Sequence, residues 1–277
     1  MDPRVTTGAR PVALVTGVGR RAGIGFAVAE RLARDDHDVA VSFWTPYDER
    51  MPWGADEGAA AELAARVAAL GVGFAPIPAD LEQPAAAALL FDEVETALGP
   101  VAVLVLCHCE SVDSGILDTT VESFDRHVAV NARAGWLLIR EFARRYRSAP
   151  GRGRVVALTS DHTVGNLPYG ASKGALDRIT LAAAHEFADR GITANVVNPG
   201  PTDTGWMAPD LRDRLAAETP LRRVGRPEDA ARLVSFLCSP EGGWVNGQLL
   251  HSDGGLGTTG AGPVTSRRTS RRRGDVL

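Results

Sequence analysis

The chain contains almost no lysine. Of its 30 basic residues, 29 are arginine and one, Lys173, is lysine. Cysteine is scarce as well, with three residues among 277. So few cysteines, in an odd number, exclude the disulfide framework of small secreted domains and are typical of a reducing compartment. Because arginine supplies all the other basic side chains, the presence of one lysine at position 173 indicates a role that arginine cannot perform.

Long apolar runs are also missing. No segment approaches the roughly 18 consecutive apolar residues of a membrane span, and the first residues lack the basic and apolar regions of a secretion signal. We therefore expect a cytoplasmic protein without a membrane partner. An apolar content of 44% is sufficient for one sizeable core, which we place at residues 11–256. Residues 1–10 and 257–277 lack apolar periodicity, and we predict that both are disordered tails.

The second tail is basic. It carries five arginines and one aspartate, a charge of +4, whereas the whole chain carries −4 and the remainder therefore −8. An arginine-rich end can bind nucleic acid phosphates, but a solvated tail is the commoner explanation. We therefore predict no nucleic-acid partner.

Short apolar segments alternate with longer segments of helical periodicity between the tails. This alternation predicts βαβ units in a single doubly wound α/β domain, with a seven-stranded parallel sheet flanked by helices on both faces. Each candidate strand is continuously apolar, so we expect every strand to be buried on both sides. The predicted strands are 12–16, 39–43, 72–77, 101–107, 154–159, 192–198 and 247–251. The predicted helices are 24–35, 56–70, 84–98, 120–146, 169–189, 211–218 and 227–237.

Local signals mark some connections and helix starts. Residues 44–58, WTPYDERMPWGADEG, form a connection far longer than the few residues that usually join a strand to a helix. Thr119 and Glu122 have the spacing of a capping box. Pro227, followed by two acidic residues, is typical of a first helical turn.

A glycine cluster follows the first predicted strand. In ALVTGVGRRAGIGFAVAERLA, a strand leads through Gly17, Gly23, Ile24 and Gly25 into a helix. Glycines let the backbone approach a pyrophosphate, and the start of the helix supplies free N–H groups. A tight turn without a ligand has the same glycines, so the strand-to-helix context is what predicts a dinucleotide site.

Two observations favour NADPH over NADH as the cofactor. Arg20 and Arg21 lie in the glycine turn, where guanidinium groups suit the extra phosphate on the adenosine ribose. An NAD site usually has an acidic residue near the end of the second strand, whereas this chain has Phe43, Trp44 and Thr45 there. We therefore predict NADPH/NADP, with Trp44 among its contacts.

Tyr169 and Lys173 are four residues apart in PYGASKGALDRI. On a helix this spacing brings both side chains to one face. An ammonium group there favours the phenolate and is expected to bring the tyrosine pKa of about 10 closer to neutrality, which makes the phenol a useful acid and base. The alternative is an ordinary surface lysine.

These residues resemble the short-chain dehydrogenase/reductase family, in particular its 3-oxoacyl-(acyl carrier protein) reductase-like branch, over about residues 11–256. The family's Tyr-x-x-x-Lys pair corresponds to Tyr169 and Lys173, its serine to Ser160 and its helix asparagine to Asn131. The resemblance implies a Rossmann-type fold and a homotetramer or homodimer. The cofactor contacts that it implies, besides the glycine turn, are Asp80, Leu81, His108, Tyr169, Lys173, Pro199, Gly200, Thr202 and Thr204.

The resemblance also implies a reaction. Ser160 and Tyr169 would hydrogen-bond a substrate carbonyl, and Tyr169 would protonate its oxygen as hydride arrives from the nicotinamide. Lys173 would hold the ribose, and Asn131 would position a water. The expected activity is NADPH-dependent reduction of a ketone (a 3-oxoacyl, polyketide or related carbonyl) to a secondary alcohol, or the reverse, on a small-molecule substrate.

Two departures from the family pattern leave other functions open. The loop between Gly17 and Gly23 holds five residues, two more than usual, and it is similar to the loop of enoyl reductases, which reduce a C=C bond. That branch, however, would have its tyrosine at Asn166. Leu106-Cys107-His108-Cys109 replaces the usual Asn-Asn-Ala-Gly, which favours a non-catalytic dinucleotide-binding or scaffold protein as an alternative. No metal site is predicted, because alternation along a strand separates the histidine from the cysteines.

The substrate region is the least defined. Nine residues separate Ser160 from Tyr169, fewer than is usual in the family, so Thr159 is a second candidate donor to the carbonyl. His162 and Asn166 are candidate pocket residues. We expect Trp206, Met207 and the helix near Leu211 to form a lid, with the aromatic residues of the 44–58 connection as a further contribution.

Overall fold

The computed structural model describes residues 10–162 and 164–261, and its framework is a seven-stranded sheet. The strand order is β3-β2-β1-β4-β5-β6-β7, and all neighbouring pairs are parallel. The strands are β1 Val12–Thr16, β2 Asp38–Phe43, β3 Phe74–Pro78, β4 Val101–Leu106, β5 Gly153–Leu158, β6 Ile192–Asn198 and β7 Leu249–His251. The α-helices are α1 Ile24–Arg34, α2 Thr45–Glu49, α3 Ala59–Ala68, α4 Ala86–Ala97, α5 Val121–His127, α6 Ala134–Arg145, α7 Leu167–Glu186, α8 Pro209–Glu218 and α9 Pro227–Cys238.

The strand order reverses beside β1. The chain builds β2 and β3 on one side of β1 and then crosses to its other side to form β4 through β7. In such doubly wound sheets, the connections at the carboxyl ends of the strands diverge at the reversal and leave a crevice for a ligand. The predicted fold class is confirmed, and the crevice lies between the connections that follow β1 and β4.

The core has two layers, one on each face of the sheet. Alternating side chains of β1 point to opposite faces, so Leu14 packs in a cluster with Phe91 and Phe142, while Val15 packs in a cluster with Phe26. Each fully buried side chain of this kind stabilises the fold by roughly 1.5–3 kcal/mol. The two layers hold the sheet rigid and fix the positions of the loops at its carboxyl edge.

The two outer strands differ from the expectation that every strand is buried on both faces. In β3, Ala75 and Ile77 are buried while Pro76 and Pro78 are exposed, and β7 is exposed at Leu249. Among the described residues, each of these strands has a neighbour on one side only. An edge strand tolerates proline because the N–H group that proline lacks would have no partner on the open side.

The predicted helix at 120–146 is interrupted. A π-helical segment, Val128–Arg133, lies between α5 and α6, and it contains Asn131. Such wide turns inside a helix are frequent at functional sites. The start of α5 also differs from the predicted capping box, because Thr120 rather than Thr119 is the N-cap and its hydroxyl accepts a hydrogen bond from the Ser123 N–H at 3.2 Å. At α9 the predicted start is confirmed, with Pro227 in the first turn.

The ends of the described chain remain attached to the fold. Arg10 donates to the Asp36 carboxylate at 2.6 Å, and a 3-10 helix at Leu256–Ala261 continues past residue 256. The rest of the two predicted tails, residues 1–9 and 262–277, lies outside the described residues. Within the described chain, no helix is long and apolar enough to cross a membrane.

Candidate active site

The candidate catalytic residues meet at the carboxyl edge of the sheet. Ser160 follows β5, Asn131 lies in the π-helical segment, and Tyr169 and Lys173 occupy the first two turns of α7. The loop 107–111, which follows β4, lies among them, since it makes hydrogen bonds with both Asn131 and Lys173. Residues that are far apart in the sequence therefore form one group.

Lys173 is held inside the fold. Its side chain is 2% exposed, and its ammonium donates to the main-chain oxygens of Leu158 at 2.9 Å and His108 at 3.4 Å. The Nζ atom lies 5.8 Å from the centre of the Tyr169 ring. Burial lowers the pKa of Lys173. An ordinary surface lysine is thereby excluded, because the single lysine joins the ends of β4 and β5 beneath the phenol.

The pKa of Tyr169 differs from the expectation. Burial raises this pKa, the nearby Cys109 raises it further, and a side-chain hydrogen bond with Ser160 opposes the rise. Lys173 donates to two carbonyls instead of the phenol oxygen, which explains why the ammonium does not bring the tyrosine towards neutrality. The phenol is consequently protonated at neutral pH.

Ser160 and Thr159 have different surroundings. Ser160 is partly exposed, interacts with the phenol of Tyr169 and accepts a hydrogen bond from the His162 N–H at 3.2 Å. The hydroxyl of Thr159 is completely buried. Of the two hydroxyls, only that of Ser160 is therefore placed to reach a substrate carbonyl beside Tyr169.

Asn131 holds the loop after β4 against α7. Its Oδ1 accepts from the Glu110 N–H at 2.8 Å, while its Nδ2 donates to the Glu110 oxygen at 2.9 Å and to the Ser172 hydroxyl at 2.8 Å. The side chain is completely buried. These three bonds fix the loop beside Lys173; the expected water-positioning role of Asn131 stays a prediction.

The side chain of His108 is packed into the fold, and its predicted contact with a cofactor stays a prediction. Its Nε2 lies 3.0 Å from the Val130 oxygen and its Nδ1 lies 2.6 Å from the Thr16 hydroxyl. A carbonyl only accepts, so Nε2 carries the proton and Nδ1 accepts from the threonine. Burial and the neighbouring Lys173 lower the pKa of His108 to about 3, and the ring is neutral. The imidazole thus fills the space between β1 and the π-helical segment, while the main-chain oxygen of His108 faces Lys173.

The two cysteines beside His108 are partly buried. Burial raises the pKa of Cys107 to about 12 and raises the pKa of Cys109 as well, so both are thiols at neutral pH. Across residues 10–162 and 164–261, no group of three or more His, Cys, Asp or Glu side chains is arranged to hold a metal ion.

The glycine turn packs directly on the loop after β4. Gly17 has a φ of 74°, and a Cβ atom there would lie 2.6 Å from the N and Cα atoms of His108. A Cβ on Gly25 would lie 2.6 Å from the Gly17 oxygen. Helix α1 begins after Gly23 without a side-chain cap, so the N–H groups of its first turn have no intrahelical acceptor. A close backbone turn with free N–H groups fits a dinucleotide phosphate.

Arg20 joins three parts of the site. It donates through Nη1 to the Thr204 oxygen at 2.8 Å, its Nε lies 3.2 Å from the Asp48 carboxylate, and its Cζ lies 4.6 Å from the centre of the Trp53 ring. Asp48 is an acidic residue that the sequence analysis missed. It follows the end of β2 by five residues, and α2 turns it back against Gly19, where a Cβ would lie 2.7 Å from its Oδ2.

Arg21 is surrounded by acids. Its Nε and Nη2 donate to Asp56, its Nη1 donates to Glu62 at 3.0 Å, and Nη2 also donates to the Glu57 oxygen at 3.2 Å. A cavity of about 390 Å³ lies beside these groups. It is lined by Val18, Gly19, Phe43, Thr45, Asp48, Asp56, Glu57 and the first turn of α3. Trp44 is exposed and is not in this lining.

The remaining predicted cofactor residues occupy two connections. After β3, the Asp80 carboxylate accepts from the Glu82 N–H at 3.0 Å, and Leu81 is buried. After β6, Thr202 donates to the Pro199 oxygen at 3.2 Å, and Gly200 has a φ of 59°, where a Cβ would lie 2.5 Å from the Cβ of Asp253. Thr204 presents its oxygen to Arg20. Both connections are at the carboxyl edge of the sheet, and their contact with a cofactor stays a prediction.

Two further contacts at the site had no signal in the sequence. Glu110, whose side chain is 4% exposed, forms a two-bond ion pair with Arg50 at 3.1 and 2.7 Å. Asn166, which is buried at the N-cap of α7, donates to the Ser111 hydroxyl at 3.0 Å and to the Asp113 carboxylate at 2.7 Å. Both depend on pairs of residues more than 50 positions apart, which no local pattern reports.

Comparisons with known proteins agree with this geometry. A family model described as Enoyl-(Acyl carrier protein) reductase matches residues 17–257. The uncharacterized oxidoreductase YjdA of Bacillus subtilis (strain 168) is 35% identical over 250 residues, covering 88% of this chain and 96% of that protein.

Two solved structures are similar over most of the chain. The promiscuous reductase LugOII, which catalyzes keto-reduction at C1 during lugdunomycin biosynthesis, has a TM-score of 0.79 at 32% identity, with 90% of this chain and 98% of that chain covered. A short chain dehydrogenase from Burkholderia cenocepacia J2315 in complex with NADP has a TM-score of 0.79 at 34% identity, with the same coverage of 90% and 98%.

Proposed function

Because the chain belongs to the short-chain dehydrogenase/reductase family, as its motifs predicted, we propose that it uses NADPH to reduce a ketone or related carbonyl to a secondary alcohol, or catalyses the reverse reaction. It is an NAD(P)-dependent oxidoreductase. The observation that carries the proposal is the grouping of Tyr169, Ser160 and the buried Lys173 at the carboxyl edge of the sheet.

The protonated phenol supports carbonyl reduction. Burial keeps the pKa of Tyr169 above its usual value, so the phenol carries at neutral pH the proton that the reaction needs. Ser160 interacts with the same phenol, and a carbonyl oxygen between the two hydroxyls would accept from both. The developing negative charge on that oxygen is stabilised by the two donors and by the ammonium of Lys173 beneath them.

NADPH supplies the hydride when it is bound. The glycine turn and the first turn of α1 would hold its pyrophosphate, since the turn packs closely on its neighbours and the first N–H groups of α1 lack an intrahelical acceptor. Arg20 would contact the extra phosphate. The related Burkholderia protein is in complex with NADP, which supports the choice of NADPH over NADH.

An apolar substrate fits the rim of the site. Ile116 and Leu117, in the connection after β4, are 80% and 99% exposed, and Val164, in the connection before Tyr169, is 84% exposed. Trp206 is also exposed, and with Met207 it would cover the substrate from the connection after β6. Apolar side chains from three neighbouring connections favour a carbonyl compound with an apolar acyl chain or ring system. The keto-reduction by LugOII is in keeping with this class.

Reduction of a C=C bond is the second candidate, because the matching family model is described as an enoyl reductase and the glycine loop has the corresponding length. In that branch the catalytic tyrosine would stand at position 166, where this chain has an asparagine. The amide hydrogens of Asn166 are used by Ser111 and Asp113, and an amide does not release a proton as a phenol does. Ketone reduction is therefore preferred.

We also infer that copies of the chain associate through α6 and α7. Trp136 of α6 is exposed, and a cavity of about 370 Å³ lies between the two helices. An exposed tryptophan beside a largely apolar cavity is typical of a protein–protein interface. Light scattering after size-exclusion chromatography, with Trp136→Glu as the variant, tests this directly: a shift from dimer or tetramer to monomer is expected.

Oxidation of NADPH against three carbonyl probes tests the proposed function. The probes are a 3-oxoacyl thioester, the apolar diketone phenanthrenequinone and an enoyl thioester. We expect turnover of a ketone by the wild type, loss of that turnover in Tyr169→Phe, and normal turnover in the control Tyr146→Phe, whose hydroxyl donates to the Ala149 oxygen away from the site.

Other outcomes identify the alternatives. Turnover of the enoyl thioester alone would favour C=C reduction. NADPH binding without turnover of any probe, and with equal affinity in Tyr169→Phe, would favour a dinucleotide-binding protein without catalysis.

A further inference from the structure

The connection 44–58, hereafter the insert, crosses the predicted path of the dinucleotide. It begins at the carboxyl end of β2, and it bonds to residues 110 and 111, which follow β4. In the sheet, β1 lies between β2 and β4. The insert therefore passes across the carboxyl end of β1, where the glycine turn and the start of α1 are found.

One side of the insert is attached to the glycine turn. Asp48, which is buried, accepts from the Trp53 indole N–H at 2.9 Å and lies 3.2 Å from the Nε of Arg20. The ring of Trp53 packs on the guanidinium of Arg20. Arg20 in turn donates to Thr204 in the connection after β6. The insert and the substrate-side connection are thus joined over the glycine turn by one arginine.

The other side of the insert is attached to the loop beside the catalytic residues. Arg50 makes two parallel hydrogen bonds with the Glu110 carboxylate, and the hydroxyl of Tyr47 lies 3.4 Å from the Ser111 oxygen. Within residues 10–162 and 164–261, Arg50 is the cation in the one ion pair recorded for Glu110. The main chain of Glu110 is the segment that Asn131 holds.

These contacts leave the insert fastened on both sides of the pyrophosphate position. A dinucleotide that runs from the cavity beside Thr45 to Tyr169 would pass between the glycine turn and the insert. Two-bond arginine–carboxylate pairs are strong and geometrically specific, and the loss of one partner leaves the buried charge of the other uncompensated. The Arg50–Glu110 pair is therefore the contact best suited to hold the insert closed.

We propose that the insert closes over the bound dinucleotide, and that the Arg50–Glu110 ion pair sets the rate at which NADPH and NADP exchange. This inference rests on the proposed function, because it requires a dinucleotide at the glycine turn. Arg50 and Glu110 are positioning residues: they contact neither reacting atoms nor substrate, and they act by keeping the insert and the loop 107–111 together.

Stopped-flow measurement of NADPH fluorescence tests the proposal on the full-length protein. In Arg50→Gln, both the association and the dissociation rate constants are expected to rise about tenfold or more, while the equilibrium dissociation constant changes less than about threefold. A parallel rise of both constants is the signature of an opened cover. Substitution of a residue that merely contacts the cofactor is expected to change the dissociation rate constant alone.

Glu110→Gln provides the second variant, because it breaks the ion pair without leaving a buried carboxylate and is expected to be the more stable of the two. The control is Arg34→Gln, which breaks an exposed ion pair with Glu30 at the far end of α1. Its two rate constants are expected to equal those of the wild type.

The outcomes separate this inference from the proposed function. If the wild type binds NADPH but neither variant changes the rates, or if only dissociation accelerates, the insert does not control exchange and the inference is wrong. If the wild type does not bind NADPH at all, the proposed function itself fails and this inference fails with it.

Discussion

The ammonium of Lys173 lies 5.8 Å from the ring centre of Tyr169 and is bonded to the main-chain oxygens of Leu158 and His108. The two side chains share one face of α7, yet their pKa values move in opposite directions from the usual values. Burial raises the pKa of the phenol and lowers the pKa of the ammonium. As the pH rises, the lysine therefore loses its proton before the tyrosine does.

This order predicts the alkaline limb of the pH profile. Carbonyl reduction needs a protonated phenol, which the raised pKa of Tyr169 preserves to high pH, so the first loss of activity comes from deprotonation of Lys173. The midpoint is expected below the ordinary lysine value of 10.5. The measurement is the pH dependence of kcat/KM for an accepted carbonyl. A midpoint at or above 10.5 would contradict the assignment to Lys173.

The lowered pKa of His108 predicts that the stability of the fold depends on pH. Its pKa is about 3 in the folded protein and 6.5 for the free side chain, so between these values the unfolded chain binds a proton that the folded chain does not. The contribution of neutral His108 to the free energy of unfolding is therefore fully present above pH 6.5. It decreases as the pH falls towards 3, with a slope that approaches ~1.4 kcal/mol per pH unit.

Denaturant unfolding at neutral pH and at about pH 5 measures this loss. In His108→Gln the loss is expected to shrink, because glutamine can still donate to Val130 and accept from Thr16 but cannot take up a proton. The matched control is His185→Gln at an exposed position of α7, which shows whether replacement of any histidine has the same effect. Equal behaviour of the two variants would refute the role given to His108.

Two glycines predict opposite effects of the same substitution. In Gly17→Ala, the new methyl group would lie 2.6 Å from the main chain of His108 at a φ of 74°, and a loss of at least about 2 kcal/mol is expected. In Gly174→Ala, nothing lies within 4 Å and the residue is inside α7, so a gain of roughly 0.5–1 kcal/mol is expected. Urea unfolding of both variants is the measurement. Similar stabilities would show that the glycine turn does not pack on the loop after β4.

The sequence predicted those features that depend on neighbouring residues. Alternating apolar and helical segments located the strands and helices within a few positions, and the four-residue spacing of Tyr169 and Lys173 placed both on one helix face. The exposure of β3 was missed because it depends on which strands are neighbours in the sheet. The direction of the Tyr169 pKa was missed because its main cause is burial, which only the tertiary structure determines.

Long-range pairs account for most of the remaining differences. No role was predicted for Asp48 from the sequence, yet α2 places it against Gly19 and beside Arg20. The Arg50–Glu110 pair joins residues 60 positions apart. Neither the position of Asp48 nor the Arg50–Glu110 pair belongs to a local sequence pattern. Both could be recognised only once the order of β2, β1 and β4 in the sheet was known.

The two arginines of the glycine turn are predicted to differ in cofactor selection. The Nε, Nη1 and Nη2 atoms of Arg21 all donate to Asp56, Glu57 or Glu62. Arg20 is held by Asp48, Trp53 and Thr204, while its Nη2 makes no hydrogen bond with any residue that the structure describes. A fixed guanidinium with a free donor is prepared for a phosphate oxygen, whereas one that is already satisfied by carboxylates is not.

Titration of NADPH and NADH into Arg20→Gln and Arg21→Gln tests this difference. Arg20→Gln is expected to weaken NADPH binding about tenfold, or ~1.4 kcal/mol. NADH binding is expected to change less than about twofold, because NADH lacks the extra phosphate on the adenosine ribose. Arg21→Gln is expected to leave the ratio of the two affinities near that of the wild type. NADH serves as the internal control, since any general disturbance of the glycine turn weakens both cofactors alike. A larger change of the ratio in Arg21→Gln than in Arg20→Gln would reverse the assignment of the phosphate-recognising residue.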